Sequence, residues 1–129
     1  MRMLNPQEEE DSTEVTWEDQ QKINTFSKLN SRMKDIEEQY KEKKADKEAL
    51  DDLAMELELA DEDELVLYRV GDVFVHMTLE RAQARLEKDQ EKIDGELSKL
   101  REVVEDCEKQ MKELKVILYG RFGKAINLD

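Results

Sequence analysis

The fold class this sequence predicts is mainly α: an antiparallel coiled coil of two helices with a β-hairpin at the turn. Three observations predict it. Along two separate stretches of the 129-residue chain, apolar residues recur in alternating steps of three and four, which keeps them on one narrow stripe of a helix. Between those stretches lies one run of β-branched and aromatic residues, split by Gly71-Asp72. The composition suits narrow seams and nothing broader: 43% of the residues are charged and 5% aromatic, too little bulk for a wide globular core.

Residues 1–15 carry the run Glu8-Glu9-Glu10-Asp11 with no apolar period, and like charges repel, so they are read as a disordered acidic tail. Residues 16–129 make the folded domain. Thr16 offers a side-chain oxygen to the free N–H groups of a starting helix, and Glu18 and Asp19 put negative charge at the positive end of its dipole. A helix over about 17–60 follows, with the seam Phe26, Leu29, Met33, Ile36, Tyr40, Lys43, Lys47, Leu50, Ala54 and Leu57. The two lysines can lay their alkyl stems along the seam while the ammonium groups reach water. On the flanks, Glu18–Lys22 and Glu37–Lys41 stand four residues apart, an arrangement worth roughly 0.2–0.5 kcal/mol each. The run Asp61-Glu62-Asp63-Glu64 ends the helix, because negative charge opposes the dipole at a C-terminus.

Residues 65–77 read as the hairpin, comprising Leu65, Val66, Tyr68 and Val70 before the turn, Gly71 and Asp72 in it, and Val73, Phe74 and Val75 after it. Gly71 supplies the positive φ that primed turns require. Thr78 then caps a second helix over about 79–120, whose seam runs Leu79, Gln83, Leu86, Gln90, Ile93, Leu97, Leu100, Val104, Cys107, Met111, Leu114 and Leu118. Gly120 and Gly123 are expected to end it, leaving a C-terminal tip over 121–129.

A short hairpin folds the helices back on each other, and counting outward from the turn sets Leu57 near Ala82, Leu50 near Asp89 and Gln90, Met33 near Cys107 and Phe26 near Leu114. Lys43 falls near Glu96, and Lys47 within reach of Asp89. Each helix has roughly 40 residues, hence about 60 Å, in a rod with the hairpin at one end and both termini at the other. An isolated two-stranded hairpin is marginal in water, so several hairpins are expected to join into a shared sheet or barrel. At the other end apolar residues exceed what a two-helix seam buries: Val116, Ile117 and Tyr119 point around the helix, with Phe122, Ile126 and Leu128 following. Together with Trp17, Ile23 and Phe26 they are expected to form an uncovered apolar patch suited to non-specific hydrophobic capture.

The charge narrows the partners. A net charge of −13 disfavours nucleic acid, whose phosphates need clustered Lys and Arg, and anionic membranes for the same reason. One cysteine cannot form an intramolecular disulfide, and there is no signal peptide or apolar run of transmembrane length, so the expected compartment is the cytoplasm with a nuclear fraction left open. His76 has no second histidine near it and Cys107 sits on a seam, so both are read as structural and no metal or cofactor is expected. The carboxylates lie on solvated helix faces and no Gly-rich phosphate loop is present, so no enzymatic activity is expected.

Three blocks give the chain a resemblance to a known family: Val15-Thr16-Trp17-Glu18-Asp19-Gln20-Gln21-Lys22-Ile23-Asn24, Tyr68-Arg69-Val70-Gly71-Asp72-Val73-Phe74-Val75, and Leu118-Tyr119-Gly120-Arg121-Phe122-Gly123-Lys124-Ala125-Ile126-Asn127-Leu128. In this order and spacing the chain resembles the β-class of the prefoldins over residues 15–129. The resemblance implies a hetero-hexamer of two α-type and four β-type subunits, with a double β-barrel platform made of hairpins. It also implies ATP-independent capture of unfolded actin and tubulin at the coiled-coil tips, and their transfer to the cytosolic group II chaperonin. Carried onto this chain, the platform residues are Tyr68, Val70, Gly71, Val73, Phe74 and Val75, and the capture residues lie near Ile23, Phe26, Leu118, Tyr119 and Phe122. Trp17 stands where the family often has Phe, and Gly120 where Ala is usual. The rival reading is a structural coiled-coil adaptor that tethers folded partners, which would need no such hairpin.

Overall fold

The folded chain begins with a reciprocal cap. Thr16 Oγ1 accepts from the Asp19 N–H at 3.1 Å, and Asp19 Oδ2 accepts from the Thr16 N–H at 3.0 Å, so two backbone donors that a helix start leaves open are satisfied together. This starts helix α1 (Trp17–Glu58). The computed structural model describes residues 14–129, so the acidic tail read over 1–15 lies, apart from its last two residues, outside the described residues. No basic residue stands in the last turn of α1. The Leu59 and Ala60 N–H groups donate to the Glu56 and Leu57 carbonyls at 3.2 and 3.4 Å, a tightened final turn that ends the helix before the acidic run.

Strands β1 (Leu65–Val70) and β2 (Val73–Thr78) pair antiparallel, Val66 opposite Met77, Tyr68 opposite Val75 and Val70 opposite Val73. Gly71 has φ +62°, and among the described residues none other than glycine has positive φ, so the Gly71-Asp72 turn has the type II′ sign pattern. Arg69 donates its Nε–H to the Gly71 carbonyl at 2.9 Å and steadies that turn.

Helix α2 (Leu79–Phe122) starts on Thr78, whose Oγ1 accepts from the Arg81 N–H at 3.3 Å. Of the two glycines expected to end it, Gly123 does so and Gly120 does not. The helix runs through that position, and the stop is Gly123, at φ +56°, which opens a single 3-10 turn over Gly123–Ala125. Beyond it Ile126 is extended, at φ −130° and ψ 144°.

The chain packs as two compact units, a hairpin unit of Gln39–Leu100 and a terminal unit of residues up to Glu38 with Arg101–Asp129. In the hairpin unit, Lys43 Nζ meets Glu96 Oε2 at 2.9 Å and Lys47 Nζ meets Asp94 Oδ1 at 2.6 Å, so α2 retreats as α1 advances and the helices are antiparallel. Lys47 thus takes Asp94 rather than the expected Asp89, which is held by Tyr68 and Arg85. The core here is Leu57, Tyr68, Leu79, Ala82 and Leu86, with Leu50 and Ala54 against it. Ala82 is fully buried while Gln83, the expected seam residue, is exposed. A step of three after Leu79 fits helical periodicity as well as a step of four, and the small side chain sits among Leu57 and Tyr68. In the terminal unit the core is Phe26, Leu118, Phe122, Ala125, Ile126 and Leu128. There Asp19 of α1 meets Arg121 of α2 at 2.7 Å, the same antiparallel sense.

Candidate functional site

Two surfaces, one in each unit, carry the features that the sequence singled out. The hairpin alternates its side chains between two faces, as any strand pair does. One face holds Val66, Tyr68, Val70, Val73, Val75 and Met77, and the other holds Leu65, Leu67, Arg69, Phe74, His76 and Thr78. The first turns inward at β1: Tyr68 is 1% exposed among Leu57, Leu79, Ala82 and Leu86. Its hydroxyl donates to Asp89 Oδ2 at 2.8 Å, and burial together with that carboxylate pushes the phenol well above its ordinary range.

On β2 the situation differs. Val73 and Val75, on the inward face, remain exposed, and Phe74 on the outward face is 63% exposed. Leu65 and Leu67 stand exposed on that outward face beside it. β2 therefore presents apolar side chains on both faces and an edge of backbone hydrogen-bonding groups that no other strand among the described residues pairs with. Of the hairpin residues marked from sequence, Leu65, Val73, Phe74 and Val75 are thus available to a partner. Gly71 and Asp72 form the exposed turn, Val66 and Val70 are half-buried, and Tyr68 is consumed inside its own unit. Leu67, exposed on the same face, was not marked, although strict alternation from Leu65 would have found it.

In the terminal unit the uncovered patch expected from sequence is largely covered, and by the chain itself. Phe26, Leu118 and Phe122 are buried under Ala125, Ile126 and Leu128, which fold back after Gly123. Ile23 and Tyr119 are half-buried against this cluster. Among the described residues two polar contacts tie the returning segment to α2, the Leu128 N–H donating to Tyr119 Oη at 3.0 Å and Lys115 Nζ meeting Asp129 Oδ1 at 2.7 Å, while within the segment the Asp129 N–H donates to Asn127 Oδ1 at 3.0 Å. Lys115 also lies over the Phe26 ring, 5.9 Å from its centroid. Ile126, marked as a capture residue, is one of the residues doing the covering. Trp17, at 76% exposure, with Val116 and Ile117, remains uncovered in this unit. The reason sequence missed the cover is that the six residues after Gly123 are too few to carry a periodicity from which to read a fold-back.

At the base of this unit Asp19 is buried and ion-paired. Burial pushes its carboxyl up, but the hydrogen bonds from Thr16 and the Arg121 guanidinium outweigh it and hold the group below the usual carboxylate value. Arg121 Nη2 also donates to the Glu14 carbonyl at 3.3 Å, tying the approach to α1 to the last turn of α2. In the hairpin unit, the hydrogen bond from Lys43 holds Glu96 below its ordinary value. Cys107 is buried and His76 exposed, and among the described residues no group of three His, Cys, Asp or Glu side chains is placed to hold a metal ion. Among the described residues no helix is long and apolar enough to cross a membrane.

A family model described as "Prefoldin subunit" matches residues 20–125. The chain belongs to the prefoldin subunit family. It is 45% identical over 126 residues to Prefoldin subunit 4 of Saccharomyces cerevisiae, a match covering 98% of each chain. To Prefoldin subunit 4 of Homo sapiens it is 39% identical over 116 residues, covering 89% of this chain and 87% of the relative. The prefoldin beta subunit from Thermococcus strain KS-1, at 17% identity, superposes with a TM-score of 0.75 over 85% of this chain and 96% of that one, which shows that the fold is shared. As a prefoldin subunit the chain is part of a chaperone and assembles with other prefoldin subunits.

Proposed function

We propose that this prefoldin subunit contributes its hairpin to a platform shared by two α-type and four β-type subunits, and that the hexamer captures unfolded polypeptides of the actin and tubulin class. Capture uses weak apolar contacts at the terminal units of several subunits, which together raise the effective concentration without ATP. The captured chain then passes to the group II cytosolic chaperonin, and the site of action is the cytoplasm. The observation that supports this reading best is the state of β2: Val73, Phe74 and Val75 are exposed on a two-stranded sheet whose open edge has no pairing strand among the described residues. Strands from neighbouring subunits supply both the missing hydrogen-bond partners and the missing apolar cover.

Two substitutions test the two halves separately. Phe74→Asp places a charge between the exposed Val73 and Val75 and is expected to exclude the subunit from the complex during co-expression with its partners. Normal co-purification of that variant would remove the hairpin from the assembly. Trp17→Ser combined with Ile117→Ser leaves the buried cores untouched, and is expected to preserve assembly while weakening suppression of the aggregation of denatured actin. Suppression at the wild-type level would move capture away from these residues.

A further inference from the structure

The residues that close over the terminal unit have a form that says what the surface beneath them recognises. Ile126 is extended, so Ile126 and Leu128 project to the same side, and both are buried while Asn127 between them is exposed. The wall they rest on, Phe26, Leu118 and Phe122, comes from α1 and α2 and not from the tail. A direct polar contact at this seat, from the Leu128 N–H to Tyr119 Oη, uses a backbone group that every residue but proline carries. What holds the far end is an exposed ion pair, Lys115 with Asp129, where water competes with the attraction. The whole segment turns back at Gly123, whose positive φ is free for glycine.

We propose that this groove is a receptor for extended peptide segments with large apolar side chains at alternate positions, and that residues 123–129 occupy it as a removable internal ligand. The proposal rests on the reading that non-native chains are captured in the terminal unit, and it names both the pattern captured and what keeps the site closed when no client is present. A client segment in extended form, apolar at i and i+2, replaces Ile126 and Leu128 and takes over the hydrogen bond to Tyr119. Between clients the chain's own tail covers surface that would otherwise aggregate.

The test uses the full chain and a fluorescein-labelled peptide of the sequence Gly-Lys-Ala-Ile-Asn-Leu-Asp, with a control peptide in which Ser replaces Ile and Leu. Ile126→Ser together with Leu128→Ser opens the groove from within. This variant is expected to bind the labelled peptide roughly tenfold more tightly than the unaltered chain, as a groove closed for about nine-tenths of the time requires. Neither chain is expected to bind the control. Equal affinity of the two chains, or equal binding of both peptides, overturns the proposal. Should the double variant lose its helical circular dichroism, Asp129→Lys decides: it reverses the rim ion pair without touching the core, is expected to raise peptide affinity several-fold, and unchanged affinity overturns the proposal. If the peptide binds the opened groove but does not compete with denatured actin on the assembled particle, the receptor stands and capture lies elsewhere. If actin suppression depends on Trp17 and Ile117 while opening the groove does not raise peptide affinity, capture stays in this unit and the receptor is overturned.

Discussion

Asp19 couples the start of α1 to the end of α2, and its carboxyl sits below its ordinary value of 3.8 because the Thr16 hydrogen bonds and Arg121 more than offset burial. The native carboxylate therefore takes up its proton at lower pH than the unfolded one. The stabilisation is complete above about pH 3.8 and is lost as pH falls through the native value. Asp129 and Glu96, lowered chiefly by hydrogen bonds from Lys115 and Lys43, act in the same direction. Asp19→Asn is thus expected to make the acid-induced loss of helical signal shallower without abolishing it, and an unchanged acid profile would show that the pair contributes nothing. Tyr68 makes the second residue-scale prediction. Tyr68→Phe keeps the ring in its core and removes only the hydroxyl bonded to Asp89, an acceptor also held by Arg85. The expected loss is about 1.5 kcal/mol, the lower end for a bond to a charged group, read as a reduced urea midpoint. Because Tyr68 faces inward, incorporation into the complex is expected to persist.

Among the elements, the hairpin and α2 place glycines in equally open space with opposite consequences. A Cβ at Gly71 or at Gly95 would meet nothing within 4 Å. Gly71→Ala is nonetheless expected to destabilise by at least about 1 kcal/mol, because φ +62° is strained for any L side chain. Gly95→Ala, inside α2, is expected to stabilise by about 1 kcal/mol through helix propensity alone, and thermal unfolding of the two variants reads both signs. The elements themselves were legible because each has its own period. Every seam position read on α1, from Phe26 to Leu57, is buried or half-buried, and a two-residue turn at Gly71-Asp72 admits only one hairpin register. What sequence did not reveal has equally physical causes. Strand alternation sorts hairpin residues into two faces, and the face carrying Arg69, His76 and Thr78 is the one turned outward, but Leu65, Leu67 and Phe74 on that same face blur the contrast. Ala82 and Gln83 both satisfy a step of three or four. Lys47 had two carboxylates on α2 to choose from, and the choice fell to Asp94 because Asp89 was engaged by a side chain from the hairpin.

For the whole molecule, the net charge of −13 and the exposed strand act against each other. The apolar side chains of β2 favour joining any other hairpin, including one from a second copy of this chain. Yet Asp61-Glu62-Asp63-Glu64 stands immediately before β1, exposed, so two copies meeting at their hairpins bring two acidic runs together. Partners with less negative hairpin surroundings escape that repulsion, which favours mixed assembly over self-assembly. The isolated chain is therefore expected to stay largely monomeric at low salt and to associate as salt rises from about 0.01 M to about 1 M, over which the screening length falls from about 30 Å to about 3 Å. Sedimentation velocity across that range measures it. In Phe74→Asp the apolar run Val73–Val75 is broken by a charge, so association is expected to remain low at every salt concentration. Salt-driven association of equal extent in that variant would place the self-contact outside the hairpin. Neutralising the run, as Asp61→Asn, Glu62→Gln, Asp63→Asn and Glu64→Gln together, is expected to bring association on at low salt, because the repulsion is removed while the apolar surface is kept.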